Sequence, residues 1–143
     1  MIIHTASEGI TLSKKLETDS SDFYEDLAQR YNKDAEIFLA FAKENKKNIT
    51  QIERAYYGVI TDAIEGGYAF NLETDNYTLP TAVKDGAEYT EVLGQAIEIE
   101  NTIVRYYTDA AEQAKSLLAD VPRTFTIISR KRGSRLEKLE SLR

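Results

Sequence analysis

Six polar residues break the apolar pattern of this chain in a way that could do chemistry: Glu17, Asn45, Asn48, Glu100, Arg132 and Arg135. A carboxylate can ligate a metal or pair with a cation, whereas an asparagine carbonyl is a weak neutral ligand. Arginine is no ligand, because it stays protonated and has no acceptor atom. Any metal held here would therefore rest on Glu17 and Glu100. Without a metal, two carboxylates and two guanidinium groups already sum to zero charge. Tyr24 and Tyr107 each follow one of the glutamates by seven residues, two helical turns along the same face. The expectation is that Tyr24 donates to Glu17 and Tyr107 to Glu100, each on its own helix, or that both are plain core residues.

Other catalytic material is scarce. The chain has no cysteine, which removes disulfides, thiolate zinc sites, iron–sulfur clusters and cysteine nucleophiles. It has one histidine, His4, near the start, where a lone imidazole is usually solvated. Ser-His-Asp chemistry and multi-histidine metal sites therefore lack residues. The formal net charge of −6 argues against general binding to nucleic acid or to anionic membranes, both of which select a positive surface. The basic run from Arg130 to Arg135 can be read as a solvated helix face. No signal-peptide pattern and no apolar run of membrane-spanning length is present, so a cytoplasmic protein is expected.

The elements that must position the six residues are helices. Only two prolines and seven glycines interrupt 143 residues, and 42% of the chain is hydrophobic, enough for one domain with a real core. The first helix is expected from Thr5 to Tyr31, with Thr5 and Glu8 at capping-box spacing. The second starts after Asp34 as N-cap, and its seam reads Phe38, Phe41, Asn45, Asn48, Ile52, Ala55, Val59. An irregular stretch from Gly66 to Gly86 follows. The third helix runs from about Ala87 to Ala119, with a seam through Leu93, Glu100, Tyr107 and Leu118. After a break at Asp120-Val121-Pro122, the fourth carries Phe125, Ile128, Arg132, Arg135, Leu139 and Leu142. The whole, residues 1–143, reads as a single domain: a hairpin over 5–60, a crossover over 61–86 and a hairpin over 87–142.

The two hairpins repeat each other. Phe38, Phe41, Asn45, Asn48, Ile49 and Ile52 map at one constant offset onto Phe125, Ile128, Arg132, Arg135, Leu136 and Leu139. One glutamate on each odd helix and two polar residues at i, i+3 on each even helix is the layout of ferritin-like di-metal bundles. The surrounding residues resemble the rubrerythrin branch of that superfamily. Leu16-Glu17 with Asp22-Phe23-Tyr24-Glu25-Asp26-Leu27-Ala28 resembles its first ligand helix, and Ile99-Glu100 with Arg105-Tyr106-Tyr107 its third. The segments Phe41 to Asn48 and Ile128 to Leu136 align with the two that end in Glu-x-x-His.

The resemblance implies an all-α, ferritin-like four-helix bundle made of two repeated helical hairpins, with a long crossover between helices two and three. It implies metal ligation at Glu17 and Glu100, and it requires glutamate at 45 and 132 and histidine at 48 and 135. The chain has Asn45, Arg132, Asn48 and Arg135 there. The expectation is a lost metal site replaced by a polar network in which Glu17 and Glu100 pair with Arg132 and Arg135, and Asn45 and Asn48 fill the remaining hydrogen bonds. The bland arrangement has both arginines snorkelling outward on buried stems. No cofactor and no catalytic residue are expected, with a binding or assembly role as a homodimer. The alternative is a di-iron-type oxidoreductase handling peroxide, oxygen or iron, with iron or manganese held by replacement ligands such as Glu44, Glu53 or Glu98.

Overall fold

The computed structural model describes residues 1–59, 68–114 and 120–143. Among these residues the chain is mostly helical, with α1 (Ala6–Arg30), α2 (Ala35–Val59), α3 (Tyr89–Ala114) and α4 (Asp120–Leu142). The first part of the expected crossover, over 61–67, and the expected last turn of the third helix, over 115–119, lie outside the described residues.

The start of α1 is fixed by its capping box. The Thr5 hydroxyl accepts from the Glu8 backbone N–H, and the Glu8 carboxylate accepts from the N–H groups of His4 and Thr5. Two donors that a helix end leaves orphaned are thereby satisfied. The helix ends at Arg30, because Tyr31 is extended (φ −127°, ψ 115°). Asp34 then adopts a left-handed φ of 61°, which its short polar side chain tolerates. The Asp34 carbonyl accepts from Ile37 and Phe38 as an N-cap carbonyl should. Its carboxylate does not cap the helix, however. It accepts from the Tyr89 hydroxyl at 2.5 Å and so ties the α1–α2 turn to the first residue of α3.

α3 begins at Tyr89 rather than at the expected Ala87. Gly86 stands just before it at φ +74°, a conformation that favours glycine. Pro122 lies in the first turn of α4, where its missing N–H costs nothing.

The helices pack as two pairs, α1 with α2 and α3 with α4, and α2 also lies along α4. Side-chain partners give the directions. Lys46 reaches Glu25 while Lys14 faces Glu53, so α2 runs back along α1. Lys131 donates to Gln51 and Arg135 to Glu44, so α4 is antiparallel to α2. The shared core holds Leu27, Phe38, Ile52, Leu93, Ile103, Phe125 and Ile128, all without solvent exposure. Each such side chain contributes roughly 1.5–3 kcal/mol through burial. No helix among the described residues is long and apolar enough to cross a membrane.

A two-stranded antiparallel ribbon was not expected from the sequence. β1 (Ile2–Thr5) pairs with β2 (Tyr68–Glu73), with Ile3 opposite Leu72 and an irregularity between Ile3 and Thr5. His4 belongs to this ribbon, not to a solvated tail, and its Nδ1 lies 3.4 Å from the Phe70 carbonyl. Phe70 presses its ring so closely on Gly9 of α1 that a methyl group there would collide with it. A short 3-10 turn, Thr74–Tyr77, follows β2. Tyr77 donates to Asp109, and Arg105 donates to the Asn76 carbonyl, which holds this turn against α3.

Candidate functional site: a buried polar centre

Midway along the helices the apolar core gives way to Glu17, Asn45, Asn48, Glu100 and Arg132, all with no solvent exposure, and Arg135 with 2%. The helical seams carry them there. Each sits on the inward stripe of its helix, between fully buried apolar neighbours such as Phe38 and Ile52 on α2, or Ile128 and Leu139 on α4.

Arg132 is the hub. Its Nη1 donates to both oxygens of Glu100, at 3.0 and 2.8 Å. Its Nη2 lies 2.8 Å from Glu17 Oε1 and donates to Ser20 Oγ at 3.0 Å. One guanidinium thus bridges carboxylates from two hairpins, a use that its planar fork of donors suits and that lysine could not match. Burial alone would weaken the protonated form of Arg132. The carboxylates of Glu100 and Glu17 outweigh that effect and hold it protonated.

The tyrosines cross between hairpins. Tyr24 on α1 donates to Glu100 Oε2 at 2.6 Å, and Tyr107 on α3 donates to Glu17 Oε2 at 2.7 Å. Burial first, and then the adjacent carboxylates Glu100 and Glu17, push both phenols well above their usual range. They remain neutral donors at any ordinary pH.

Asn48 Nδ2 donates to Glu17 Oε1 at 3.0 Å. Asn45 Nδ2 turns instead to the Glu17 carbonyl and to Ser20 Oγ, at 3.2 and 3.0 Å. Ser20 in turn donates to the Leu16 carbonyl at 2.7 Å. Among the described residues, four buried atoms have no hydrogen-bond partner: Asn45 Oδ1, Asn48 Oδ1, Arg132 Nε and Arg135 Nη1.

Arg135 meets Glu100 as an ion pair but gives its hydrogen bonds elsewhere. Its Nε and Nη2 donate to Glu44 Oε1, at 3.2 and 2.8 Å, and Nη2 also donates to the Phe41 carbonyl. Its Nη1 stands 3.6 Å from Glu100 Oε2, too far for a hydrogen bond. The guanidinium lies over the Phe41 ring, 4.7 Å from the centroid. The reason is positional: Arg135 is one turn nearer the end of α2 that carries Glu44, whose side chain is 38% exposed. It closes the centre toward solvent instead of entering it.

No family model matches this chain, and neither a curated protein nor a solved structure matches it. The chemistry of the centre must be read from its own atoms.

The donor set does not fit a metal. Every oxygen of Glu17 and Glu100 already accepts from, or ion-pairs with, a protein donor, and the Arg132 guanidinium occupies the position between them. A divalent cation there would meet a buried positive charge and neutral amides. Among the described residues no group of three or more His, Cys, Asp or Glu could hold a metal ion. Of the replacement ligands, Glu44 is engaged by Arg135 and Glu53 lies 3.6 Å from Lys14 at the surface. Glu98 is exposed on α3. What the arrangement can do is fix the two hairpins in one register, because each carboxylate is held from the other hairpin.

Ser20 was missed as a site residue, and Glu44 was named only as a replacement metal ligand, not as an arginine partner. Ser20 follows Glu17 by three residues and shares its face, which could have singled it out. Glu44 sits one residue before Asn45, off the seam, and the length of the arginine side chain is what brings it in.

Proposed function

We propose that this chain is a ferritin-like bundle of the rubrerythrin type in which a di-metal site has given way to a charge-balanced Glu/Arg/Asn network. It acts through binding or assembly and not through redox chemistry. The observation that carries this reading is the Arg132 guanidinium between Glu17 and Glu100, where a metal would need open carboxylate oxygens. Glu17, Glu100, Arg132 and Arg135 together sum to zero charge, which lets four ionised groups stand in a core without a counter-ion.

The order of the helices supports the ferritin-like part. The last third of α2 lies beside the first half of α1 through Lys14 and Glu53, whereas the first residue of α3 meets Asp34 at the opposite end of α1. Residues 68 to 88 run from the strand paired beside the start of α1 to the opposite end of the bundle, as a crossover between helices two and three requires. For assembly we favour a homodimer. Leu39 and Tyr57 are 50% and 67% exposed, on one face of α2, five full turns apart at about 3.6 residues per turn. A cytoplasmic setting is part of the same proposal.

Elemental analysis of protein purified without chelator is the direct test. The expected result is no stoichiometric metal, and near-stoichiometric iron or manganese in the bundle would overturn the reading. The converse is a gain of function. Asn45→Glu, Asn48→His, Arg132→Glu and Arg135→His together should create iron affinity. A quadruple variant that folds but binds no iron would show that the even helices do not correspond to the ligand helices of that family. Sedimentation velocity tests the dimer, which replacement of Leu39 and Tyr57 by Asp should disperse.

A further inference from the structure

A groove follows the outer side of α1, away from the polar centre. Its larger part is a cavity of about 580 Å³ between α1 and residues 74–81, floored by Ile3, Leu12, Leu16, Tyr77 and Leu79. Its smaller part, about 240 Å³, is lined by Asp19, Asp22, Phe23, Asp26 and Thr81. The two parts share Asp19 and Thr81. They form one depression from Ser7 to Asp26, about 28 Å long at 1.5 Å per residue.

The rim is acidic. Glu8, Asp19, Asp22, Asp26 and Asp75 line it, against one lysine, Lys15, and the amino group of Met1. Lys15 is paired with Asp19 at 2.5 Å, the amino group with Glu73 at 2.8 Å, and Asp26 with Arg30 at 2.9 Å, which leaves Asp22 and Asp75 outside these pairs. The rim therefore keeps a negative excess over an apolar floor. A ligand matching it needs an apolar stripe of that length flanked by positive charge.

The walls select the shape of the occupant. One wall is an α-helix, whose backbone groups are bonded internally. In the other, the carbonyls of Pro80 and Ala82 accept from Gln95. Over residues 80–82 an added strand would find these acceptors taken and no N–H at Pro80, whereas a helix brings its backbone already satisfied. A second copy of this chain is a poor occupant. The helices richest in Lys and Arg, α2 and α4, commit their apolar stripes to the core through Phe38, Ile52, Phe125 and Leu139, and the large apolar residues exposed on them, Leu39, Tyr57 and Ile127, do not line up as a continuous stripe.

We propose that this groove docks a cationic amphipathic helix of about five turns from a partner protein. Its apolar stripe lies on Leu12 and Leu79, and its Lys and Arg side chains face Asp22 and share Asp19 and Asp26 with Lys15 and Arg30. The inference is independent of what the polar centre once held, so neither stands or falls with the other.

Fluorescence anisotropy with a labelled model peptide tests it, about 18 residues long with Leu at i, i+3, i+4, i+7 spacing and Lys elsewhere. The expected result is saturable one-to-one binding that is lost when the Lys positions become Glu. Leu79→Asp, and separately the triple reversal Asp19→Lys, Asp22→Lys and Asp26→Lys, should each weaken it at least about tenfold. A matched reversal elsewhere, Glu36→Lys, Glu137→Lys and Glu140→Lys, should change it less than about threefold. All of these positions are on the surface or half-buried, and circular dichroism confirms that each variant folds. Absence of saturable binding overturns the proposal. So does an equal loss in the matched reversal, which would mean attraction to net charge alone. Sedimentation showing that Leu79→Asp dissociates a dimer of this chain would also overturn it, by giving the groove to a second copy.

Discussion

The two hairpins contribute unequally to the same centre. At the first hairpin's even-helix positions stand two amides, Asn45 and Asn48, and at the equivalent positions of the second stand two guanidiniums, Arg132 and Arg135. Each hairpin supplies one fully buried glutamate and one tyrosine, the first adds the half-exposed Glu44, and the tyrosines reach across in both directions. All the positive charge comes from α4. One arginine is sealed between two carboxylates, and the other lies over an aromatic ring and turns toward a half-exposed glutamate. The difference teaches that position along the bundle, more than residue type, sets what a buried group is worth. A charge with no access to water depends wholly on its partners, whereas one near the surface can recruit solvent.

The largest effect should come from the sealed arginine. Arg132→Ala strands both carboxylates and should cost about 3–5 kcal/mol of folding stability in urea denaturation. Arg135→Ala should cost only about 1–2 kcal/mol, since Glu44 can turn to water. Equal costs would break the distinction between the two arginines. Next come the crossed tyrosines. Tyr24→Phe and Tyr107→Phe each remove a hydrogen bond to a buried carboxylate and should cost about 1.5–3 kcal/mol apiece. Similar values would sharpen the view that the hairpins are held reciprocally, and a large disparity would assign the work to one side.

The amides should matter less and should differ from each other. Asn48→Ala loses a donor to the Glu17 carboxylate, about 1.5–2 kcal/mol, and Asn45→Ala loses donors only to neutral oxygens, about 1 kcal/mol. The smallest effect at neutral pH comes from proton linkage. Tyr24 and Tyr107 have phenols raised above their unfolded value of 10.0 by burial and by the adjacent carboxylates. Below pH 10 both states keep these protons, so stability is unaffected. Above it the unfolded chain releases them first and binds fewer protons than the native state, so stability falls as pH rises. Tyrosinate absorbance from these two residues should therefore appear together with loss of helical ellipticity, and an earlier appearance would mean that water reaches the centre.

Much of the helical layout was legible in the chain. The seam of α2 through Phe38, Asn45, Asn48 and Ile52 shows its period of alternating three and four residues. The Thr5–Glu8 spacing marks the start of α1 to the residue. The ribbon was not legible, although Phe70 and Leu72 alternate with Asn71 and Glu73 as a half-buried strand should. Four residues of β1 and six of β2 carry too little pattern, and nearby turn residues such as Asp75-Asn76 and Pro80 read as irregular chain. The capping role of Asp34 was half legible. Its carbonyl starts α2, but a tyrosine from a distant helix claims its carboxylate.

What the sequence by itself determined is the set of groups that share a level, because helical periodicity assigns each seam residue a face and a height. It also determined their charge balance, since guanidinium and carboxylate are ionised wherever a partner meets them. What only the tertiary structure decided is which partner each group takes. Tyr24 passes Glu17 on its own helix to reach Glu100, and Arg135 keeps a 3.6 Å ion pair with Glu100 but gives its hydrogen bonds to Glu44. Those choices depend on ångström offsets between neighbouring helices. Long, flexible side chains turn such offsets into different hydrogen bonds, and no pattern along one helix records them.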